Sequence, residues 1–372
     1  MRKVIIAIFL IVSIVLAIMI LLSHLSAKVD LQFLPEFKVL GLLYPYLLFA
    51  NLAIILLALF FKPFLALLPL AAILGTLPKP LEIYAYNKDE VRVTGNSNEV
   101  KVLSYNVRLF NKYSWKDSLK TRDSIVNFLS RQDADVYLLQ EFYHGQKGEN
   151  TQNYQLVPKR LNATNTYFEY QETKDKNPKY FFGLSTLSKH PILKSGVVVP
   201  RSNQENSKAN ATFSDVKIGN KTIRIYNVHL RSLGFNNRDY EFLKDVSKKP
   251  NNENLEGGKS ILKKLILATE KRTKEVDELL LHMSDSPYPI IIAGDFNETP
   301  FTFNTQQVSQ LMKDAFLEAG NGFGLTYEGF GSIPSMRIDY IYGSHSIQFE
   351  KFQTHSVSFS DHRPISATFT VN

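Results

Sequence analysis

The apolar run from Val4 to Leu22 constrains this chain more than any other feature of its sequence. It contains 19 residues, and Ser13 is its only polar side chain. A helix of this length crosses the roughly 30 Å hydrocarbon core of a bilayer at about 1.5 Å per residue. More apolar sequence follows, which favours a retained membrane helix, although Ser23–Ala27 leaves a cleaved signal peptide open as an alternative.

Two further apolar stretches follow the first one. Leu40–Phe61 is long enough to span a membrane and has tyrosines near one end, where an interfacial belt would have them. Phe64–Leu77 is shorter and contains Pro69 and Gly75, so it is a short span, a re-entrant piece or an interfacial segment. We therefore predict a transmembrane region over residues 1–78, with two or three helices at about 4–24, 40–61 and 63–78.

The number of spans decides on which side of the membrane the rest of the chain lies. If Arg2 and Lys3 stay in the cytoplasm, three spans place the remainder outside it and two keep it inside. Lys28 and Lys38 in one loop and Lys62 in the next are too few charges to decide. We favour three spans, and therefore an extracytoplasmic remainder.

Charge and cysteine content exclude some chemistry but select none. Residues 1–87 contain six Lys or Arg and three Asp or Glu, so +3 of the formal charge of +8 lies there and +5 in the rest. A mildly basic soluble part suits polyanionic substrates or an anionic bilayer, but a charge of this size does not by itself indicate nucleic-acid binding. The chain has no cysteine, which excludes disulfides, zinc–thiolate sites and thiol nucleophiles.

After a polar linker predicted at 79–99, the sequence alternates between strand and helix patterns. Short apolar or β-branched runs bounded by turn residues predict strands, and an apolar periodicity among charged residues predicts helices. The predicted strands are Val100–Tyr105, Val136–Gln140, Phe181–Leu187, Thr222–Val228, Ile290–Ala293 and Asp339–Tyr342. The predicted helices are Thr121–Arg131 and Ile261–Met283.

Acidic, amide and imidazole residues recur where these strands end or begin, which is where α/β sheets present functional groups. Each occurrence alone has an ordinary explanation, because Asp and Asn are favoured turn residues. Six occurrences in one domain, with two histidines among them, favour a shared site. The six motifs are Ser104–Asn106, Leu139–Glu141, Asn227–His229, Gly294–Asn297, Arg337–Tyr340 and Ser360–Pro364.

In this order, the motifs resemble the signature blocks of the endonuclease/exonuclease/phosphatase family, which includes DNase I, abasic-site endonucleases, sphingomyelinases and inositol-polyphosphate 5-phosphatases. The blocks are Ser-Tyr-Asn, Gln-Glu, Asn-x-His-Leu, Gly-Asp-Phe-Asn-x-x-Pro and Ser-Asp-His-x-Pro, and GLSTLSKHPI at Gly183–Ile192 is similar to a further one. The resemblance covers almost all of residues 100–372. It implies that these residues form a catalytic domain with the DNase I-like fold, which is a four-layer α/β sandwich. The transmembrane helices precede this domain in the chain.

The resemblance also implies Mg²⁺, with Mn²⁺ as a substitute, and assigns roles to the strand-end residues. Carboxylate and amide oxygens suit Mg²⁺. Glu141 would bind the ion, Asn106 would bind or orient near it, and Asp361 would complete its shell. Asp295 would deprotonate the attacking water.

Three further side chains would hold the substrate phosphate. Asn297 and His229 would contact it directly. His362 would stabilise the transition state through one ring nitrogen while Asp339 accepts a hydrogen bond from the other.

The implied function is a membrane-anchored, divalent-metal-dependent phosphoester hydrolase, phosphodiesterase- or nuclease-like, in a bacterial plasma (inner) membrane. Arg108 stands where abasic-site endonucleases have an acidic residue, which weakens a DNA-repair interpretation. A lipid-directed phosphatase or sphingomyelinase-like enzyme is one alternative, and a catalytically silent membrane-tethered binding module is another. The expected partners are the lipid bilayer and a phosphoester, either nucleic acid or a phospholipid head group, and the sequence indicates no protein partner.

Overall fold

The computed structural model describes residues 2–30, 34, 36–87, 99–112, 118–145, 152–171, 180–199, 210–235, 239, 241–242, 252–328 and 336–371. The chain divides into two compact units. The first unit comprises Met1–Ala85, Leu233–Thr273 and Glu298–Gln307. The second comprises Tyr86–Ser232, Lys274–Asn297 and Val308–Asn372.

The first unit begins with the apolar helices. They are α1 (Arg2–Ser26), α2 (Glu36–Val39), α3 (Tyr44–Phe61) and α4 (Leu67–Leu74), with 3₁₀ turns at Leu40–Leu43 and Pro63–Ala66. Two continuous helical stretches, Lys3–Ser26 and Glu36–Phe61, are long and apolar enough to cross a membrane, and Pro63–Leu74 is a shorter apolar helix. The predicted second and third segments thus differ in length as expected.

These helices pack against one another in alternating directions. Ile20 of α1 lies in one cluster with Tyr44, near the start of α3, and Ile73, near the end of α4. Ile6, near the start of α1, packs with Ala58 and Leu65 in another cluster. The run from Pro63 to Leu74 therefore returns along α1 and α3.

Two polar side chains of α3 are hydrogen-bonded to neighbouring segments of this bundle. The Asn51 amide in α3 donates to the Leu16 carbonyl at 3.2 Å, and the hydroxyls of Tyr44 and Thr76 are 2.7 Å apart. Such bonds favour helix association where no water competes for the polar groups.

The predicted linker begins with a 3₁₀ turn at Lys79–Ile83 and a short strand, β1 (Ala85–Tyr86). Residues 88–98 of it lie outside the described part of the chain.

The second unit contains two six-stranded sheets. Their strands are β2 (Val100–Asn106), β3 (Val136–Gly145), β4 (Asn165–Gln171), β5 (Tyr180–Ser188), β6 (Ile192–Val199), β7 (Ala211–Ile218), β8 (Lys221–His229), β9 (Ile290–Asp295), β10 (Lys313–Asp314), β12 (Asp339–Gly343), β13 (Ile347–Thr354) and β14 (Ile365–Val371). The short strand β11 (Asn321–Gly322) belongs to neither sheet. The order in the first sheet is β13-β14-β2-β3-β5-β4, and in the second it is β10-β12-β9-β8-β7-β6. All six predicted strands are present. The remaining helices are α5 (Ser118–Gln132), α6 (Asn153–Arg160), α7 (Asn252–Ser284), α8 (Phe303–Leu311) and α9 (Ala315–Ala319).

Strand periodicity explains how these layers pack. Alternate residues of β2 and β3, such as Leu103 and Leu139, lie in a core cluster with Ile125 and Leu129 of α5. On the second sheet, Tyr226 and Ile292 cluster with Val276 and Leu279 of α7. In each strand, the residues that alternate with these core residues point to the opposite face of the sheet, towards the other sheet. The four-layer α/β sandwich expected from the sequence is confirmed.

Candidate active site

The site forms where the central strands of both sheets end. In the parallel pair β2–β3, Asn106 lies beside Gln140, and in the parallel pair β8–β9, His229 lies beside Asp295. Asp339 of the antiparallel β12 also pairs with Asp295. Polar residues separated by long stretches of sequence therefore share one end of the sandwich.

Asp295 is the centre of this group and is buried, with 1% relative exposure. Its Oδ2 accepts a hydrogen bond from Asn106 Nδ2 at 3.1 Å, and its Oδ1 accepts one from the Asn297 backbone N–H at 2.8 Å. The Nε2 atoms of His229 and His362 each lie 3.6 Å from Oδ2. The carboxylate is thus held by donors on both sheets.

His362 is oriented by Asp339. Its Nδ1 lies 2.9 Å from Asp339 Oδ2, so the imidazole donates from Nδ1 and turns Nε2 towards Asp295. The pairing predicted from the sequence is present as a contact. The ring of Tyr327 lies 4.9 Å from the imidazole, measured between centroids.

Burial and neighbouring charges act against each other in this cluster. Burial raises the pKa of Asp295 above its ordinary value, the His362 imidazole opposes that rise, and Asp339 adds to it. Burial alone would lower the pKa of His362, but Asp339 and Asp295 outweigh it and raise the pKa to about 10. The two carboxylates therefore favour the imidazolium form of His362, which carries protons on both nitrogens.

Glu141 reaches the group through an unusual backbone conformation. Its φ is +51°, in a region that side chains with a Cβ rarely adopt. Its Oε1 lies 3.5 Å from Asn106 Nδ2 and 3.9 Å from His229 Nε2. Its side chain is 32% exposed, so it is accessible from solvent, whereas Asp295 is not.

Asp361 lies beside a second strained segment. Arg108 Nε is 3.3 Å from Asp361 Oδ2, and the four consecutive residues 108–111 have φ between +45° and +59°. The Ser360 hydroxyl donates to the Asn106 carbonyl at 2.9 Å. This arrangement connects the segment before β14 to the end of β2.

Asn297 also has positive φ, at +53°. Its side-chain amide donates to the Leu230 carbonyl at 3.0 Å. This bond uses one of the two N–H groups that a primary amide carries, so the arrangement is compatible with phosphate binding by the other.

Two sets of residues have donor atoms that suit a metal ion. Asp295, Asp339 and His362 offer donor atoms within 4.8 Å of one another, but His362 is already hydrogen-bonded to Asp339 and lies at ion-pair distance from Asp295. Glu141 and Asp361 are more exposed, with side-chain exposures of 32% and 18%. Their carboxylate oxygens are the ligand type that Mg²⁺ prefers. The Asn106 amide turns Nδ2 towards Glu141, while its Oδ1 accepts a hydrogen bond from the Arg108 backbone N–H at 3.0 Å.

Six of the eight predicted site residues are joined by the contacts above: Asn106, Glu141, His229, Asp295, Asp339 and His362. Asp361 adjoins them through Ser360, and Asn297 through its backbone bond to Asp295. Sequence reasoning treated Arg108 only as a departure from a motif and missed both its contact with Asp361 and the position of Tyr327. The Arg-Leu-Phe segment carries no turn signal, and no strand pattern marks Tyr327.

A family model described as Endonuclease/Exonuclease/phosphatase family matches residues 103–362, most of the chain. The chain belongs to this family. Its members are hydrolases of phosphoester bonds, and the family and fold expected from the sequence motifs are confirmed. A second model, described as Domain of unknown function (DUF8431), matches residues 6–79.

Solved structures agree on the fold. An endonuclease/exonuclease/phosphatase from Beutenbergia cavernae is 16% identical with a TM-score of 0.55, and the match covers 74% of this chain and 72% of that one. An endonuclease/exonuclease/phosphatase from Bacteroides vulgatus is 16% identical with a TM-score of 0.52, with coverage of 74% and 99%. No curated protein matches the chain.

Because the backbone at Glu141 is left-handed, we expect glycine to give a more stable protein than alanine at this position, the reverse of the usual order in a strand. Glu141→Gly is expected to be more stable than Glu141→Ala by about 1 kcal/mol, because only glycine adopts this conformation without steric cost. Thermal unfolding of the two purified variants measures the difference. At Gln348, an exposed strand position without positive φ, alanine should be the more stable substitution. Equal stability of the two Glu141 variants would contradict the strain.

Proposed function

We propose that this chain is a membrane-anchored phosphoester hydrolase that depends on Mg²⁺, with Mn²⁺ as a substitute, and in which Asp295 activates water for in-line attack on phosphorus. The observation that carries the proposal is the convergence on Asp295 of Asn106, His229 and the His362–Asp339 pair. Beside this group lie the more exposed carboxylates of Glu141 and Asp361. Phosphoester hydrolysis needs such preorganised groups, because charge must be stabilised as the water is aligned.

Asp295 acts as the general base in this proposal. Burial raises its pKa, which makes it a better proton acceptor than an exposed carboxylate. The hydrogen bonds from Asn106 and from the Asn297 backbone fix its orientation. It therefore both positions the attacking water and takes its proton.

The phosphate is bound by donors around this base. His362, protonated and held by Asp339, donates from Nε2 to an oxygen that gains charge in the transition state. Asn297 and His229 contribute further phosphate contacts. Because His362 Nε2 lies 3.6 Å from Asp295 Oδ2, the base and the donor face the same small volume.

Glu141 and Asp361, with Asn106 nearby, would hold the metal ion. The carboxylate oxygens of Glu141 and Asp361 and their exposure fit Mg²⁺. When bound, the ion would act as a Lewis acid that neutralises charge on a phosphate oxygen.

We infer three membrane crossings, with the catalytic part outside the cytoplasm. The return of Pro63–Leu74 along α1 and α3 supports a third, short crossing. The start of α1 and the end of α3 form one end of the bundle. The sequence has basic residues there, Arg2, Lys3 and Lys62, and no acidic residue beside them. At the other end Lys38 pairs with Asp30 at 2.6 Å and Lys79 pairs with Glu82 at 2.8 Å. The first end suits the cytoplasm.

Hydrolysis assays on the full chain in lipid nanodiscs test the catalytic proposal. The substrates are a generic phosphodiester, plasmid DNA, phosphoinositides and sphingomyelin. With Mg²⁺, one class should be hydrolysed, EDTA should abolish the activity, and Asp295→Asn should lower it by at least about 100-fold because the general base is lost.

Asp285→Asn, an exposed change outside the site, serves as the matched control and should retain the activity. Hydrolysis of DNA supports the nuclease-like form, and hydrolysis of a lipid supports the lipid-directed alternative. If the folded protein binds Mn²⁺ but hydrolyses none of the four, the silent binding module becomes the better account.

Mn²⁺ binding, followed by electron paramagnetic resonance, distinguishes the two candidate metal positions. Glu141→Gln should weaken binding at least about tenfold because an anionic ligand is removed. Asp339→Asn should leave the affinity nearly unchanged, since Asp339 orients His362. The reverse pattern would move the ion to the cluster of Asp295, Asp339 and His362.

The absence of cysteine allows the topology to be tested with single substitutions. In intact cells, a membrane-impermeant maleimide should label Lys28→Cys and Leu281→Cys but not Lys62→Cys. Protection of both Lys62→Cys and Leu281→Cys would indicate two crossings. A mature protein whose mass lacks α1 would instead support the signal-peptide alternative.

A further inference from the structure

Gln140 lies next to Glu141 in β3 and is itself completely buried. Its side chain points to the second sheet and away from α5, because the residue before it, Leu139, belongs to the cluster with α5. Burying a primary amide between two sheets is unfavourable unless its polar atoms find partners. Its contacts therefore indicate what this residue does.

The side-chain amide of Gln140 donates hydrogen bonds to residues of both sheets. Its Nε2 donates to Asn227 Oδ1 of β8 at 2.7 Å and to the Ser104 hydroxyl of β2 at 3.2 Å. Asn227, which is also fully buried, donates from Nδ2 to the Ser185 carbonyl of β5 at 2.9 Å. The two amides thus connect β2, β3 and β5 of one sheet with β8 of the other.

This amide pair lies at an irregularity in β3. Leu139 pairs with Ser185 and Phe142 with Gly183, so Gln140 and Glu141 together face the single residue Leu184. Two residues opposite one constitute a β-bulge. The positive φ of Glu141 belongs to this bulge.

The bulge decides where the Glu141 side chain goes. In a regular strand Glu141 would point to the same face as Leu139, into the apolar layer under α5. With the extra residue, Phe142 takes up that layer. Glu141 instead reaches Asn106 and His229. A shift of one residue in the register would remove the carboxylate from the site.

We propose that the Gln140–Asn227 amide pair is a positioning device that fixes the β3 bulge and so holds Glu141 in the metal site. The inference rests on the proposed function, because it takes Glu141 to be a metal ligand. An apolar side chain of similar size at position 140 would fill the space, but it would have no directional bond to keep the strand in this register. The two amides are therefore specified by hydrogen bonding as well as by volume.

The test measures Mn²⁺ affinity and thermal unfolding of the full chain in nanodiscs. Gln140→Met keeps the volume and removes the bond to Asn227, and we expect the Mn²⁺ affinity to fall at least about tenfold, within the range seen when a residue supporting a metal ligand is lost. Val216→Ala, a fully buried change on β7, is the matched control. It should lower the unfolding temperature while leaving the affinity unchanged.

A length-swapped double variant tests whether the two amides act as a pair. Gln140→Asn and Asn227→Gln should each weaken Mn²⁺ binding. The double variant keeps the combined length of the two side chains and should recover much of the affinity. Because the swap also keeps the combined volume, the loss in Gln140→Met is the result that excludes a role in packing alone.

The outcomes separate this inference from the proposed function. If the wild-type protein binds Mn²⁺, Glu141→Gln loses binding and Gln140→Met binds like the wild type, the positioning role is overturned and the metal site stands. If the double variant binds no better than the weaker single variant, the positioning role is overturned as well. If the wild-type protein binds no Mn²⁺, the metal-dependent function fails and the inference fails with it.

Discussion

The site depends on one constraint, which is that two parallel strand pairs, β2–β3 and β8–β9, end at the same edge of two packed sheets. Side chains of a strand alternate between faces, so the residues between the core positions point into the space between the sheets. Within that space some of them are hydrogen-bonded between the sheets, as Gln140 Nε2 and Asn227 Oδ1 are. At the strand ends, polar residues such as Asn106 and Asp295 meet there. Burial of Asp295 is tolerated because donors from both sheets compensate it.

The strands, the family and the apolar helices could be predicted from the sequence because the relevant signals are local. Strands such as Ile290–Asp295 are short, apolar and followed by a polar motif, and the order of those motifs identified the family. The apolar helices were equally plain, since a membrane-spanning run needs only length and composition. The third segment could not be assigned in this way. Whether Pro63–Leu74 returns along α1 depends on packing with Ile20 and Tyr44, which the sequence does not encode locally.

The remaining features were not predictable, because they arise from long-range competition. The sequence Leu-Gln-Glu-Phe does not predict a bulge at Glu141, since glutamate has no preference for positive φ. The conformation survives because strand pairing on both sides of β3 overrides a local cost. The left-handed residues 108–111 follow the same logic: Phe110 and Asn111 are buried, so tertiary contacts outweigh backbone preference. The inclusion of Leu233–Thr273 and Glu298–Gln307 in one unit with the N-terminal helices likewise has no sequence signature.

The charges of the site explain why it divides into a closed and an open part. Asp295, Asp339 and His362 are all buried, with His362 hydrogen-bonded to Asp339 and at ion-pair distance from Asp295. Glu141 and Asp361 add two more carboxyl groups, against which the nearby Arg108 offers one positive charge. The site therefore holds four carboxyl groups, more than its basic groups. An anionic phosphate would be repelled by such an excess of acidic groups, whereas a divalent cation would offset it. Because the buried groups already contact one another, the exposed carboxylates of Glu141 and Asp361 are the more accessible position for a cation.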